Sequence, residues 1–150
     1  MKDWISFTKE NCFGVPMRVL TIATDRGMGH DNVTGAITAA YLAQMGIELI
    51  CTITRAEHIG QPTLQDIVES VVNYKIALNI VKPNMDMEKA VAIARAQGGC
   101  HLSTVFENII DREGAYRELR LRNNNGLVDT QFDDGRIKKC TMCGDSCPLI

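Results

Sequence analysis

Two short β-rich runs on either side of one helical segment constrain this chain more than any other feature. Residues 17–23 (Met-Arg-Val-Leu-Thr-Ile-Ala) and 47–53 (Ile-Glu-Leu-Ile-Cys-Thr-Ile) are dense in aliphatic and β-branched side chains, as strands buried on both faces are. Between them, residues 33–45 are rich in alanine and place Val33, Ile37, Ala40 and Tyr41 at helical spacing, with Gly46 where a helix C-cap would stand. Strand, loop, helix, strand predicts a βαβ unit with a parallel pair. A parallel sheet needs cover on both faces, and barrel closure needs about eight strands. Two strands therefore make a segment of a larger sheet.

The second half reads as helical. Thr63 and Asp66 form a capping-box-like start after Pro62, and Leu64, Ile67, Val68, Val71, Val72 and Ile76 mark one face of a long helix that Pro83 must end. A second helix is expected over 86–96, stopped by Gly98 and Gly99. A third follows from Leu102, Val105, Phe106, Ile109 and Ile110, and residues 112–122 continue it as a solvated stretch rich in Arg and Glu, before Asn123 to Gly126 break the pattern. The apolar stripes of these helices are expected to pack on one another. The fold class expected is α/β and helix-rich: a partial (β/α) barrel segment over 1–61, an antiparallel helical bundle over 62–135 and a cysteine-rich cluster loop over 136–150.

Charge and hydropathy exclude two function classes. With 16 Lys+Arg against 18 Asp+Glu, a formal charge of -2 and interleaved signs, no electrostatic footprint for nucleic acid exists. No apolar run approaches the roughly 18 to 20 residues of a membrane span, and residues 1–4 lack a secretory core. A cytoplasmic location is expected, where six cysteines are ligands or buried thiols more readily than disulfides. Cys12, Cys51 and Cys100 stand alone and read as small packing residues. Cys140, Cys143 and Cys147 form a CX2CX3C run with Gly144 to permit a tight turn and Pro148 to stop a helix. Three thiolates so close can converge on one metal centre. Structural zinc would need a fourth ligand, the nearest being Cys100 or His101. A four-iron cluster needs none, and leaves one iron open to a small molecule such as S-adenosylmethionine. Cluster, zinc and unliganded thiols all remain readings of the spacing itself.

The loops after the two strands carry the other polar groups. Residues 25–32 (Asp-Arg-Gly-Met-Gly-His-Asp-Asn) lead into a helix, so backbone N–H groups near Asn32 to Thr34 are candidates to receive a phosphate or carboxylate. Gly-x-Gly there lacks the third glycine of a dinucleotide fingerprint, and no P-loop lysine follows. After the second strand, Glu57 and His58 stand at the carboxyl end of a parallel strand, where α/β sheets place their ligands, and imidazole beside carboxylate suits metal binding or proton transfer.

Residues 54–62 (Thr-Arg-Ala-Glu-His-Ile-Gly-Gln-Pro), Tyr74 to Ala77 (Tyr-Lys-Ile-Ala) and the terminal Cys-x-Met-Cys-Gly from Cys140 to Gly144 resemble phosphomethylpyrimidine synthase, the radical S-adenosylmethionine family of thiamine biosynthesis. The stretch from Asp25 to Val33 is similar to that family's Asp-Ile-Ala-Pro-Gly-Tyr-Asp-His-Ile loop, and order and spacing agree along roughly residues 17–147. The resemblance implies a [4Fe-4S] cluster on Cys140, Cys143 and Cys147 that cleaves S-adenosylmethionine reductively, and rearrangement of an imidazole ribotide into hydroxymethylpyrimidine phosphate. It implies a carbon-carbon lyase whose barrel holds the substrate and whose cysteine tail reaches the neighbouring subunit of a dimer. His58 would bind a second divalent metal, zinc or iron. Asp25 and Asp31 would contact substrate, and Glu57 would be catalytic.

The family's enzymes are several times longer, so the resemblance is to their C-terminal part. The second metal's partner histidine would fall before Met1, the substrate-contacting tyrosine of the first strand is Met17, the loop histidine is Asn32, and the Cys143 to Cys147 spacing is one residue short. These departures suit a homodimer, or a subunit completed by a barrel-supplying chain. Two alternatives are a radical enzyme similar to hydroxybenzimidazole synthase of cobamide synthesis and a non-catalytic iron-sulfur or zinc module.

Overall fold

The computed structural model describes residues 2–81, 102–125, 132–133 and 136–137. The chain divides into two compact units, Met1–Asn84 and Met85–Ile150.

In the first unit, helix α1 (Lys2–Asn11) precedes strand β1 (Arg18–Leu20), helix α2 (Asp31–Gln44), strand β2 (Leu49–Cys51) and helix α3 (Leu64–Val81). The two strands pair in parallel, Arg18 opposite Leu49, Val19 opposite Ile50 and Leu20 opposite Cys51, so the βαβ reading holds. Both strands are shorter than the runs that announced them. Among the described residues the sheet has these two strands and is not closed.

Helix α2 ends as its glycine dictates. Gly46 takes φ +88°, its N–H donates to Ala43 O at 3.1 Å, and Ile47 N–H donates to Leu42 O at 3.1 Å. Those two bonds are a Schellman motif, which needs a left-handed residue at that position. The apolar contact that accompanies the motif is present too, since Leu42 and Ile47 share a core cluster with Ile5. Ile5 is the residue by which α1 joins the fold, a helix that the sequence reading left out. Its far end is tied by Lys9, whose ammonium donates to Gly46 O and to Glu48.

Helix α3 starts with the expected reciprocal cap: Asp66 N–H donates to Thr63 Oγ1 at 3.2 Å and Thr63 N–H donates to Asp66 Oδ2 at 2.8 Å. Its buried face corrects the expectation. Ser70 and Tyr74 point inward, whereas Leu64, Ile67, Val68, Val71 and Ile76 are exposed. Helix α2 shows the same inversion, with Gly35, Ala36, Ala39 and Ala43 buried and Val33, Ile37 and Tyr41 outside. Small residues let α2 approach α3 and the sheet closely, so the large side chains are left on the far side. The resulting core joins Ala36, Ala39, Ile53 and Tyr74.

In the second unit the expected third helix is two. Helix α4 (Leu102–Asn108) stops before Asp111, which caps helix α5 (Arg112–Asn124) by accepting from Gly114 N–H at 2.9 Å. An N-cap aspartate starts a new helix because it satisfies one of the orphan N–H donors. Phe106 and Tyr116 stack edge to face at 5.1 Å, and the Arg112 guanidinium lies 5.7 Å from the Tyr116 ring centre. An antiparallel pair, β3 (Phe132–Asp133) and β4 (Arg136–Ile137), completes the described residues. The helix expected over 86–96 lies outside them. No helix among the described residues is long and apolar enough to cross a membrane.

Candidate functional site

The polar loops at the carboxyl ends of β1 and β2 are held by one tyrosine. Tyr74, 3% exposed, brings its hydroxyl to 2.5 Å from Thr21 Oγ1 and accepts from Ile53 N–H at 3.1 Å. The Thr21 hydroxyl donates to Cys51 O at 3.0 Å, which commits its one proton, so the Tyr74 hydroxyl donates to Thr21. Burial pushes the Tyr74 hydroxyl above the ordinary tyrosine range. The bonds to Thr21 and Ile53 pull it down, and negative charge at Cys51 and Glu57 adds to the rise.

The loop after β1 makes one 3-10 turn (Asp25–Gly27), then enters α2. Thr24 O accepts from Gly27 N–H and Gly27 O from His30 N–H, both at 2.7 Å. Of the N–H groups expected to receive an anion at the start of α2, those of Val33 and Thr34 both donate to His30 O, at 2.9 and 3.2 Å. Asp31, 0% exposed, occupies the first turn instead, and a carboxylate there repels a second anion while it favours the helix dipole. Both Asp31 carboxylate oxygens and Ser70 Oγ are buried without a hydrogen-bond partner among the described residues. Neighbouring Asn32 is also buried and donates to Glu69 Oε1 at 3.3 Å, linking α2 to α3.

The loop after β2 is a compact turn in which Thr54 O accepts from Glu57 N–H at 3.1 Å, and Ala56 O from Ile59 and Gly60 N–H at 2.9 and 3.0 Å. Glu57 is half-buried and His58 exposed. His58 sits at φ +62°, a left-handed conformation that a residue with a Cβ adopts at a cost and that gathers at functional sites. Arg55 anchors the loop to α3 through Glu69 and, at 3.8 Å, Asp66. The hydroxyl of Thr63 and then its N–H hold the Asp66 carboxyl below its ordinary range, with Arg55 adding to the effect.

In chain order, Asp25 and Asp31 follow β1, in the 3-10 turn and at the start of α2, and Glu57 and His58 follow β2. Cys140, Cys143 and Cys147 lie outside the described residues, as does Cys100. Of the other lone cysteines, Cys12 is exposed, which corrects its reading as a packing residue because it stands in the turn after α1. Cys51 is half-buried and accepts from Arg18 at 3.1 Å. Among the described residues no group of three or more His, Cys, Asp or Glu could hold a metal ion. His58 alone does not fit a zinc or iron site, and no chemical step is assigned to a metal there. The cysteine donor set suits a four-iron cluster with one open iron. Sequence reasoning missed Thr21, Gly35 and Ile53 as supports of the site. The available signal was Gly35, a glycine inside an alanine-rich helix, which marks a close approach.

A strand-helix-strand unit with polar loops at the carboxyl ends of parallel strands defines an α/β ligand-binding scaffold. Within that class, the chain belongs to the Radical SAM ThiC family, whose model matches residues 1–150. It is 31% identical to a phosphomethylpyrimidine synthase of Saccharolobus islandicus over 97% of this chain and 33% of that protein. Phosphomethylpyrimidine synthases of Carboxydothermus hydrogenoformans and Pyrobaculum aerophilum are each similar at 31% identity, with the same two coverages. The chain spans about a third of the length of the curated relatives it matches.

Proposed function

We propose that this chain takes part in radical S-adenosylmethionine chemistry on an imidazole ribotide, as in the synthesis of hydroxymethylpyrimidine phosphate, together with a polypeptide that supplies further barrel strands. Family membership supports the reaction class. The observation that carries the site is Asp31: a buried carboxylate with neither oxygen bonded costs several kcal/mol unless a ligand compensates it. An imidazole ribotide offers N–H and O–H donors of the kind such a group accepts.

Asp31 orients the substrate by accepting these donors, and Asp25 meets it from the preceding turn. Glu57, half-buried, accepts and returns a proton at the substrate. His58 holds an imidazole at the mouth of the same loops. Cys140, Cys143 and Cys147 would hold a [4Fe-4S] cluster with one open iron, which, when reduced, would supply the electron for cleavage of S-adenosylmethionine. The exposed Leu20 and Leu49 of the parallel pair support a completing partner, either a second copy or a barrel-supplying chain, because a parallel sheet is ordinarily covered on both faces.

Anaerobic reconstitution with iron and sulfide, followed by electron paramagnetic resonance of the reduced protein, tests the reading. A four-iron signal that shifts on adding S-adenosylmethionine is expected, and Cys143→Ala loses it while keeping its helical circular dichroism. Stoichiometric zinc with no iron signal would overturn the radical reading and leave a structural or interaction module.

A further inference from the structure

Thr21 and Ile53 each stand four residues ahead of a candidate carboxylate, Asp25 and Glu57. Both are bonded to one oxygen, the Tyr74 hydroxyl, at 2.5 and 3.1 Å. The chain of donors is closed: Ile53 N–H to Tyr74, Tyr74 O–H to Thr21, Thr21 O–H to Cys51 O. Every polar atom in it is satisfied, and a satisfied buried network admits one geometry. Helix α2 makes room for the hydroxyl specifically, since a Cβ on Gly35 would lie 2.1 Å from it but 3.0 Å from the ring carbon that bears it. A phenylalanine would fill the space of the ring but leave the buried Ile53 N–H without the acceptor it has in Tyr74. The position therefore holds a hydroxyl where packing asks only for a ring.

We infer that Tyr74 is a positioning residue: its hydroxyl, held between Thr21 and Ile53, sets the two loops that carry Asp25 and Asp31 on one side and Glu57 and His58 on the other in a fixed relation. The inference rests on the proposed function for what the loops do, and on the hydrogen bonds alone for how they are held. Tyr74 touches no reacting atom. It acts through the two backbone segments, and its effect is read in the loops.

The test is Tyr74→Phe in the whole chain, with amide exchange and the imidazole C2–H resonances at fixed pH as readouts. The chain has three histidines, so His58 is resolved and His101, in the second unit, serves as internal reference. Exchange at the bonded amides of Ile53, Glu57 and Gly60 is expected to accelerate tenfold or more, and the His58 resonance to shift, while the centre of α2 and His101 stay unchanged. Thr21→Val is expected to reproduce this pattern and Thr21→Ser to restore wild-type behaviour. Loop exchange and a His58 resonance unchanged in both Tyr74→Phe and Thr21→Val, or a uniform rise in exchange across the first unit, would overturn the inference and reduce Tyr74 to packing. None of these readouts needs the cluster, so failure of the radical reading leaves a distinct signature.

Discussion

Replacing Gly35 by alanine sets two effects of known size against each other. In a helix interior, alanine is favoured over glycine by about 1 kcal/mol, so propensity alone predicts that Gly35→Ala stabilises α2. The tertiary contacts say the opposite. The new Cβ would lie 2.1 Å from the Tyr74 hydroxyl oxygen and 2.8 Å from Ile53 Cγ1. Neither neighbour can retreat cheaply: Tyr74 is pinned by Thr21 and Ile53, and Ile53 lies in the same buried cluster. Overpacking of this kind costs about 1–3 kcal/mol, and a buried hydroxyl torn from its partners about 1–3 kcal/mol more. After the gain in helix propensity is set against these costs, a net loss of about 1–5 kcal/mol is expected. Urea unfolding followed by the fluorescence of Trp4, the chain's one tryptophan, which stands on α1 in the first unit, measures it as a lower midpoint at constant slope. In the double variant Gly35→Ala/Tyr74→Phe the closest atom is gone, so the two losses should fall short of additive by about 1 kcal/mol or more. A Gly35→Ala protein as stable as the wild type, or strictly additive losses, would refute the close-approach argument.

Three further expectations follow from the same loops. Asp31→Asn puts two N–H donors where the carboxyl group has no partner among the described residues, so binding of the proposed imidazole ribotide by the assembled enzyme should fall about tenfold or more, and unchanged binding would show that the carboxyl group does not accept from the substrate. His58→Gly should be more stable than His58→Ala by about 1 kcal/mol, because only glycine adopts a positive φ without cost, and equal midpoints would remove the strain argument. Glu48, lowered chiefly by its bond from Lys9 and also by Met17 N–H, and Asp66, lowered chiefly by Thr63, both have folded values below their unfolded ones. Their contribution to stability is therefore present above about pH 4 and is lost as pH falls through the lower folded values; Glu48→Gln combined with Asp66→Asn should flatten the acid limb of the thermal midpoint, and an unchanged limb would refute it.

Local chemistry was legible wherever a short stretch of chain decides the outcome. The left-handed Gly46 and the Thr63 and Asp66 cap depend on neighbours within a few residues, so composition and spacing suffice; the parallel pair joins residues 31 apart, and the strand-helix-strand order announces it because a helix is the usual crossover between parallel strands. The motif around Glu57 and His58, the Tyr74 run and the terminal cysteines likewise carried the family resemblance in the order of residues alone. The break at Asp111 was missed because Ile109 and Ile110 kept helical spacing across it, and periodicity does not register an N-cap that competes with continuation.

What the tertiary structure alone decided is which face of each helix is buried and which polar group is left over. Val33, Ile37 and Tyr41, and Leu64, Ile67 and Val68, form the apolar stripes that hydrophobicity would bury, yet close packing of α2 against α3 selects Gly35, Ala39 and Ser70, because a short interaxial distance rewards small residues, and Tyr74 enters the space that Gly35 leaves open. The hydroxyl relay through Tyr74 joins residues 21 to 53 positions apart in sequence, and no local pattern encodes a contact between groups that only folding brings together.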